Sequence, residues 1–205
     1  DYLTVEELRR IWEPGSKINN WKDVRPGFPD KPLKLYGAGT DSGTFDYFTE
    51  AICGEEGASR SDYQASEDDN TLVMGVAGDE AALGYFGYAY YEENVDKLKL
   101  VAIDGGGGPV APSPETINNG SYAPLSRPLF IYVSVAAAAR PEVQAFVQYI
   151  LSVEGSKLVR QVGYIGLPSE AYDLVRKRFE AKKTGSIFTS GSQVGVKLQD
   201  ILSRE

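Results

Sequence analysis

Hydrophobic residues along this chain switch between helical and strand-like spacing, and the switches mark most of its elements. Leu8, Ile11 and Trp12 share one helical face after Thr4, which stands three residues ahead of Glu7 as in a capping box, and Pro14-Gly15 stops that helix. Asn19-Asn20-Trp21 and Pro26-Gly27-Phe28-Pro29 read as irregular chain, and Leu33 to Tyr36 then alternates as a strand. The strand runs out in Gly37-Ala38-Gly39-Thr40-Asp41-Ser42-Gly43-Thr44. Phe45, Phe48, Thr49 and Ile52 resume helical spacing at once, so this polar glycine loop joins a strand to the first turn of a helix.

Farther on, Ser66 and the acidic run Glu67-Asp68-Asp69 predict an N-cap and a first turn for a helix carrying Leu72, Val73 and Val76. Leu83 to Tyr91 is aromatic-rich and reads as extended, Leu98 to Ile103 as another strand, and Gly105 to Gly108 as a break. Ser113-Pro114-Glu115 supplies cap, first-position proline and acidic first turn for a short helix that Gly120 ends. Leu129 to Val135 is the most strand-like run in the chain. After Arg140-Pro141-Glu142 an amphipathic helix runs through Phe146, Ile150 and Leu151, and another covers Glu170 to Phe179. Thr184 to Ser192 is polar and turn-like, with Val194 to Leu202 expected to order against the body.

Composition changes this picture in a few places. A chain of 205 residues can bury a full core as one large domain or two small lobes, and 42% apolar with 24% charged residues is ordinary globular composition. No apolar run approaches the roughly 20 residues of a membrane span. If the protein is exported, its leader is expected upstream of Asp1. The net charge of −8 argues against nucleic acid as a partner, because phosphodiester backbones select for clustered Lys and Arg. It does not exclude a small anion, which local N–H groups and a helix N-terminus can hold whatever the distant surface charge. The single cysteine, Cys53, excludes an internal disulfide and a cysteine-cluster metal site, and the absence of histidine removes His-based triads and the usual zinc sites.

The run Gly39 to Thr44 is the chemically informative feature. Tetrahedral oxyanions want several N–H and O–H donors converging from one side, and a strand–loop–helix corner supplies them without a formal cation. Ser42 and Thr44 offer hydroxyls, and Gly43 lets the backbone approach closely. The same residues also make ordinary capped turns, so composition alone leaves the function open. Asp41-Ser42-Gly43-Thr44 matches the aspartic-protease signature as well, but those enzymes need two such carboxylates sharing a proton, and this chain has one copy following a loop. A serine nucleophile at Ser42 would need a base, and neither histidine nor a Ser-x-x-Lys motif provides one. Cys53 reads as a small buried apolar group, the tyrosines of Tyr85 to Tyr91 as a packed strand, and Glu67 to Asp69 as a helix start, since they lack the ligand spacing of a calcium loop.

Six segments, in order, resemble the phosphate-binding proteins of phosphate ABC transporters: residues 35–52 around the glycine loop, 57–63 (Gly-Ala-Ser-Arg-Ser-Asp-Tyr), 66–70 (Ser-Glu-Asp-Asp-Asn), 83–91, 126–133 (Ser-Arg-Pro-Leu-Phe-Ile-Tyr-Val) and 163–168. The resemblance covers nearly the whole chain. It implies an α/β, type II periplasmic-binding-protein-like fold with mixed sheets, in which two lobes close on the ligand about a hinge. Residues 1–121 are then expected to form the second lobe with the anion loop, and 122–205 the C-terminal part of the first lobe plus a tail. It implies that inorganic phosphate meets Ser42, Gly43 and Thr44, and Asp41 of the same loop is counted with them among the expected ligand-binding residues. Many such proteins carry an arginine a few residues before Ser-Gly-Thr, where Ala38 stands here, and Arg60 is the candidate to replace it. They also carry roughly a hundred further residues upstream, which supply the first lobe's contacts, so the chain is expected to represent a receptor lacking the N-terminal part of its first lobe. No enzyme activity and no cofactor are implied. The expected partner is an ABC-transporter membrane permease, and the expected location is periplasmic or at the extracellular surface. A receptor for another tetrahedral oxyanion such as sulfate, or a ligand-free interaction domain of the same fold, are the alternatives.

Overall fold

The computed structural model describes residues 2–185 and residue 194. It opens with β1 (Tyr2–Thr4) and α1 (Val5–Trp12), joined by the capping box that Thr4 and Glu7 predict: the Glu7 N–H donates to Thr4 Oγ1 at 3.1 Å and the Thr4 N–H to Glu7 Oε2 at 2.8 Å. A 3₁₀ turn (Trp21–Asp23) leads to β2 (Lys34–Ala38), which ends two residues later than its hydrophobic alternation suggests and makes Gly37 and Ala38 strand residues instead of loop. Then follow α2 (Gly43–Cys53), β3 (Gln64–Ser66), α3 (Asp69–Ala77), β4 (Ala82–Tyr85), α4 (Tyr88–Glu92), β5 (Ala102–Asp104), β6 (Pro109–Val110) and α5 (Pro114–Asn118). The remaining described elements are helical: a 3₁₀ turn (Ala137–Ala139), α6 (Pro141–Ile150), α7 (Val153–Gln161) and α8 (Ser169–Glu180).

Among the described residues the strands form two mixed or parallel three-stranded sheets. One has the order β1-β5-β6, with β1 parallel to β5 and β6 antiparallel to it. The other has the order β3-β2-β4 and is parallel throughout. The chain leaves β2 for one side and returns by α3 to the other, so the carboxyl ends of β2 and β3 open onto the same edge. That is where open α/β sheets place ligands.

The core lies between the sheets and α1 and α2, and its centre is Trp12, 1% exposed. The indole meets Phe48, Tyr63 and Tyr85 edge-on at centroid distances of 5.5, 5.4 and 4.9 Å, while Phe48 and Tyr85 stack at 3.8 Å. These rings tie α1, α2, β4 and the segment before β3 into one unit. Beside them Arg25 grips Glu7 through two hydrogen bonds, 2.6 and 2.5 Å, and holds that carboxyl below the usual range. A carboxylate whose pKa is depressed by folding stabilises above its unfolded-state pKa and loses that contribution as pH falls through the folded value. Glu7→Gln should therefore cost on the order of 1 kcal/mol at neutral pH. The difference from the parent should vanish in acid denaturant titrations well below pH 4; a difference that persists there would show the pair is not the source.

Four expectations change, and one helix appears where none was read. Residues 88–91 are helical, because Tyr85 ends its strand and Gly87 begins a new turn, so only Tyr85 of the tyrosines from 85 to 91 packs as strand. Asp68, not Ser66, caps α3 by accepting the Asn70 N–H at 3.0 Å, and Ser66 closes the short strand β3, whose exposed positions carry no alternation to betray it. The strand read over 98–103 begins only at Ala102. Helix α7 follows α6 directly after Ser152, a cap the hydrophobic spacing does not reveal. Leu129 to Val135 forms no strand: Leu129, Phe130, Ile131, Tyr132 and Val135 are exposed, Tyr132 at 90%. Among the described residues no strand lies alongside it, and an extended run without a partner has nothing to bond to. Most of the polar C-terminal stretch lies outside the described residues.

Candidate functional site

The glycine loop occupies the carboxyl end of β2, and α2 starts from it as the residue pattern requires. Ser42 is the N-cap, its Oγ accepting the Thr44 N–H at 3.1 Å, and the loop is closed by Ser42 N–H donating to the Gly39 carbonyl at 3.1 Å. Gly54 ends the helix with φ +87°, a left-handed conformation that glycine adopts without strain. Phe45, Phe48, Thr49 and Ile52 bury one face, which fixes the helix axis and aims its N-terminal N–H groups out of the sheet edge. Thr49 strengthens the anchor. Its hydroxyl donates to the Phe45 carbonyl at 2.9 Å and accepts the Gly57 N–H at 2.8 Å, so the polar member of the buried stripe is satisfied.

Ser42, Gly43 and Thr44 therefore stand together at a helix N-terminus, where the dipole and free N–H groups favour an anion. Thr44 Oγ1 makes no hydrogen bond within the described residues and is open to a ligand. The loop does not stand alone. Gly39 N–H donates to the Ser66 carbonyl at 3.1 Å, bringing the end of β3 against it, and Glu67 accepts the Asp41 N–H at 3.2 Å. Glu67 packs so closely that a Cβ on Gly39 would lie 2.0 Å from its Oε1, so any side chain at 39 would displace this carboxylate from the loop. Asp41 thus belongs to the loop through its backbone N–H.

Arg60 is not brought to the loop. Its side chain is 2% exposed, and all of its N–H donors are taken: Asp62 accepts from Nε and Nη2, Asn19 from Nη2, and the carbonyls of Ile11 and Ile18 from Nη1, at 2.6 to 3.1 Å. It is a buried strut between α1 and the following loop, and the structure leaves none of its N–H donors over for the ligand contact expected of it. Ala38 is buried at 1%, its carbonyl accepting the Tyr63 hydroxyl at 2.9 Å. Among the described residues a cation does stand beside the loop, Arg127, which the sequence places 83 residues after Thr44 and which no spacing argument connects to it. Its Nη2 stands 3.2 Å from where a Cβ on Gly43 would sit. Cys53 is half-buried, and burial pushes its thiol up to about 11, which favours the protonated form at neutral pH.

A PBP superfamily domain model matches residues 1–154 of this chain. The chain belongs to the PBP superfamily. Protein SphX of Synechocystis is 49% identical over 206 residues, covering 99% of this chain and 61% of that protein. The phosphate-binding protein PstS of Staphylococcus saprophyticus is 38% identical over 174 residues, 84% of this chain and 52% of that protein. A crystal structure of a possible phosphate binding protein from Planctomyces limnophilus superposes with a TM-score of 0.77 at 48% identity, covering 89% of this chain and 65% of that one. The PBP-superfamily chain thus spans about half to three fifths of the length of these curated relatives.

Proposed function

We propose that this PBP-superfamily chain binds inorganic phosphate through Ser42, Gly43 and Thr44, as part of an extracytoplasmic receptor, periplasmic or at the cell surface, that delivers phosphate to an ABC-transporter permease. The observation that carries the reading is the capped N-terminus of α2 at the carboxyl end of a parallel sheet, with an open threonine hydroxyl and an arginine beside it, in a chain 38% identical to a phosphate-binding protein. Nothing in this arrangement calls for a reaction: it supplies donors that hold an oxyanion, and no nucleophile with a base.

The exposed run Leu129 to Tyr132 supports a two-lobed receptor in which these residues join a sheet whose other strands lie elsewhere in the protein. The test is titration calorimetry with phosphate and with sulfate. The full-length protein carrying this chain should saturate with phosphate and ignore equimolar sulfate, whereas residues 1–205 alone should give little heat because they offer only one wall of the site. Tight binding of phosphate by residues 1–205 alone would replace the two-lobed receptor with a self-contained single-domain binder, and preference for sulfate would change the ligand.

A further inference from the structure

Arg127 is oddly placed for a surface arginine. Its guanidinium lies against Gly43, the first residue of α2, with Nη2 at 3.2 Å from the position of a would-be Cβ. A positive charge there faces the positive end of a helix dipole, which is unfavourable unless an anion sits between them. Within the described residues no carboxylate answers it. The basic side chains Lys22, Lys34, Arg25, Arg140 and Arg176 each hold an acidic partner, while Arg127 has only the face of the Tyr47 ring, 5.5 Å from its guanidinium carbon. Nor is its place accidental. Tyr47, one turn into α2, shares its one hydroxyl proton between the Pro124 carbonyl at 2.7 Å and the Ser126 carbonyl at 3.0 Å, clamping the connection that leads into Arg127.

We propose that Arg127 is the cation of the oxyanion site, carried to the α2 N-terminus by the connection after α5 and positioned by Tyr47. The proposal rests on the phosphate-loop reading above and adds to it the residue that supplies charge. Position 38 cannot supply it, being a buried alanine, and the buried Arg60 has every donor occupied. A guanidinium stays charged at any working pH and offers a planar pair of N–H groups matching two oxyanion oxygens, while the loop N–H groups and Thr44 meet the others from the side of the helix. The ring face of Tyr47 holds the guanidinium in place without neutralising it. The site is therefore built from two segments distant in sequence, and the bare backbone of Gly43 lets the guanidinium lie close against the first turn of α2.

The experiment is phosphate calorimetry on the full-length protein with Arg127→Ala, Arg127→Lys, Tyr47→Phe and the Tyr47→Phe/Arg127→Ala pair, each checked for an unchanged melting temperature within a few degrees. Arg127→Ala should raise Kd about tenfold or more, and Arg127→Lys should recover part of that because it keeps the charge and loses the planar pair. Tyr47→Phe should weaken binding less, and the double variant should be no worse than Arg127→Ala alone, since Tyr47 acts only through Arg127. Raising the salt concentration should weaken the parent more steeply than Arg127→Ala. If Thr44→Val weakens binding and Arg127→Ala does not, this proposal fails while the loop reading stands. If neither variant changes affinity, the loop reading fails and takes this proposal with it.

Discussion

Arg60→Met should lower the urea midpoint of the full-length protein by an amount equivalent to about 3–5 kcal/mol while leaving phosphate affinity unchanged in the folded molecule. The guanidinium is almost wholly buried and ties Ile11 and Ile18, the end of α1 and the loop after it, to Asn19 and Asp62. Removing it leaves two backbone carbonyls without their donors, and a buried acceptor without a partner costs about 1–3 kcal/mol. Methionine keeps much of the volume, so a cavity contributes little. Asp62, held below the usual carboxylate range by this arginine, is itself exposed and can turn to water, which limits the loss. The pairing of readouts separates a strut from a ligand group: affinity that drops while the midpoint stays put would mean that Arg60 reaches the anion.

Thr44→Val should do the opposite, weakening phosphate binding by roughly 1.5–3 kcal/mol, about ten- to a hundredfold in Kd, with almost no change in the urea midpoint. The hydroxyl has no protein partner among the described residues, and the backbone N–H that Ser42 caps is retained by valine, so the fold loses nothing. What is lost is one donor to a charged acceptor at a helix N-terminus, where hydrogen bonds to an anion are roughly twice as strong as neutral ones. Asp41→Asn is the matching control. Asp41 serves the loop through its N–H, which Glu67 accepts, and its side chain is dispensable if no carboxylate chemistry occurs there, so affinity should stay largely intact. Unchanged affinity in Thr44→Val would reduce the loop to a capped turn.

Arg60 and Arg127 show where sequence reading stops. Both lie in segments that resemble phosphate-binding proteins, and both could have been the cation that Ala38 does not provide. Residue type and order cannot choose between them, because the choice depends on which guanidinium is already saturated and which is left open. Burial and hydrogen-bond geometry decide it: one arginine spans α1 and its loop with every donor in use, and the other lies across the first turn of α2. Glu67 is a similar case. As part of an acidic run it reads as a helix start, yet its carboxylate is folded back onto the Asp41 N–H, while Asp68 does the capping.

By itself the sequence determined those features whose causes are local. The Thr4–Glu7 box, the Ser42 cap with Gly43-Thr44 opening α2, the buried stripe of Phe45, Phe48 and Ile52, and the Ser113-Pro114 start of α5 all rest on side-chain-to-backbone bonds and spacings within a few residues. Tertiary structure alone decided what depends on partners far away in the chain. It put β3 beside the loop, although that three-residue strand has no pattern of its own and exists because β2 bonds to it. It left Leu129 to Val135 without strand structure despite the strongest strand-like composition in the chain, because a strand is a relation between segments and not a property of one. And it set Arg127 against Gly43, through a clamp between Tyr47 and residues 124 and 126 that no periodicity encodes.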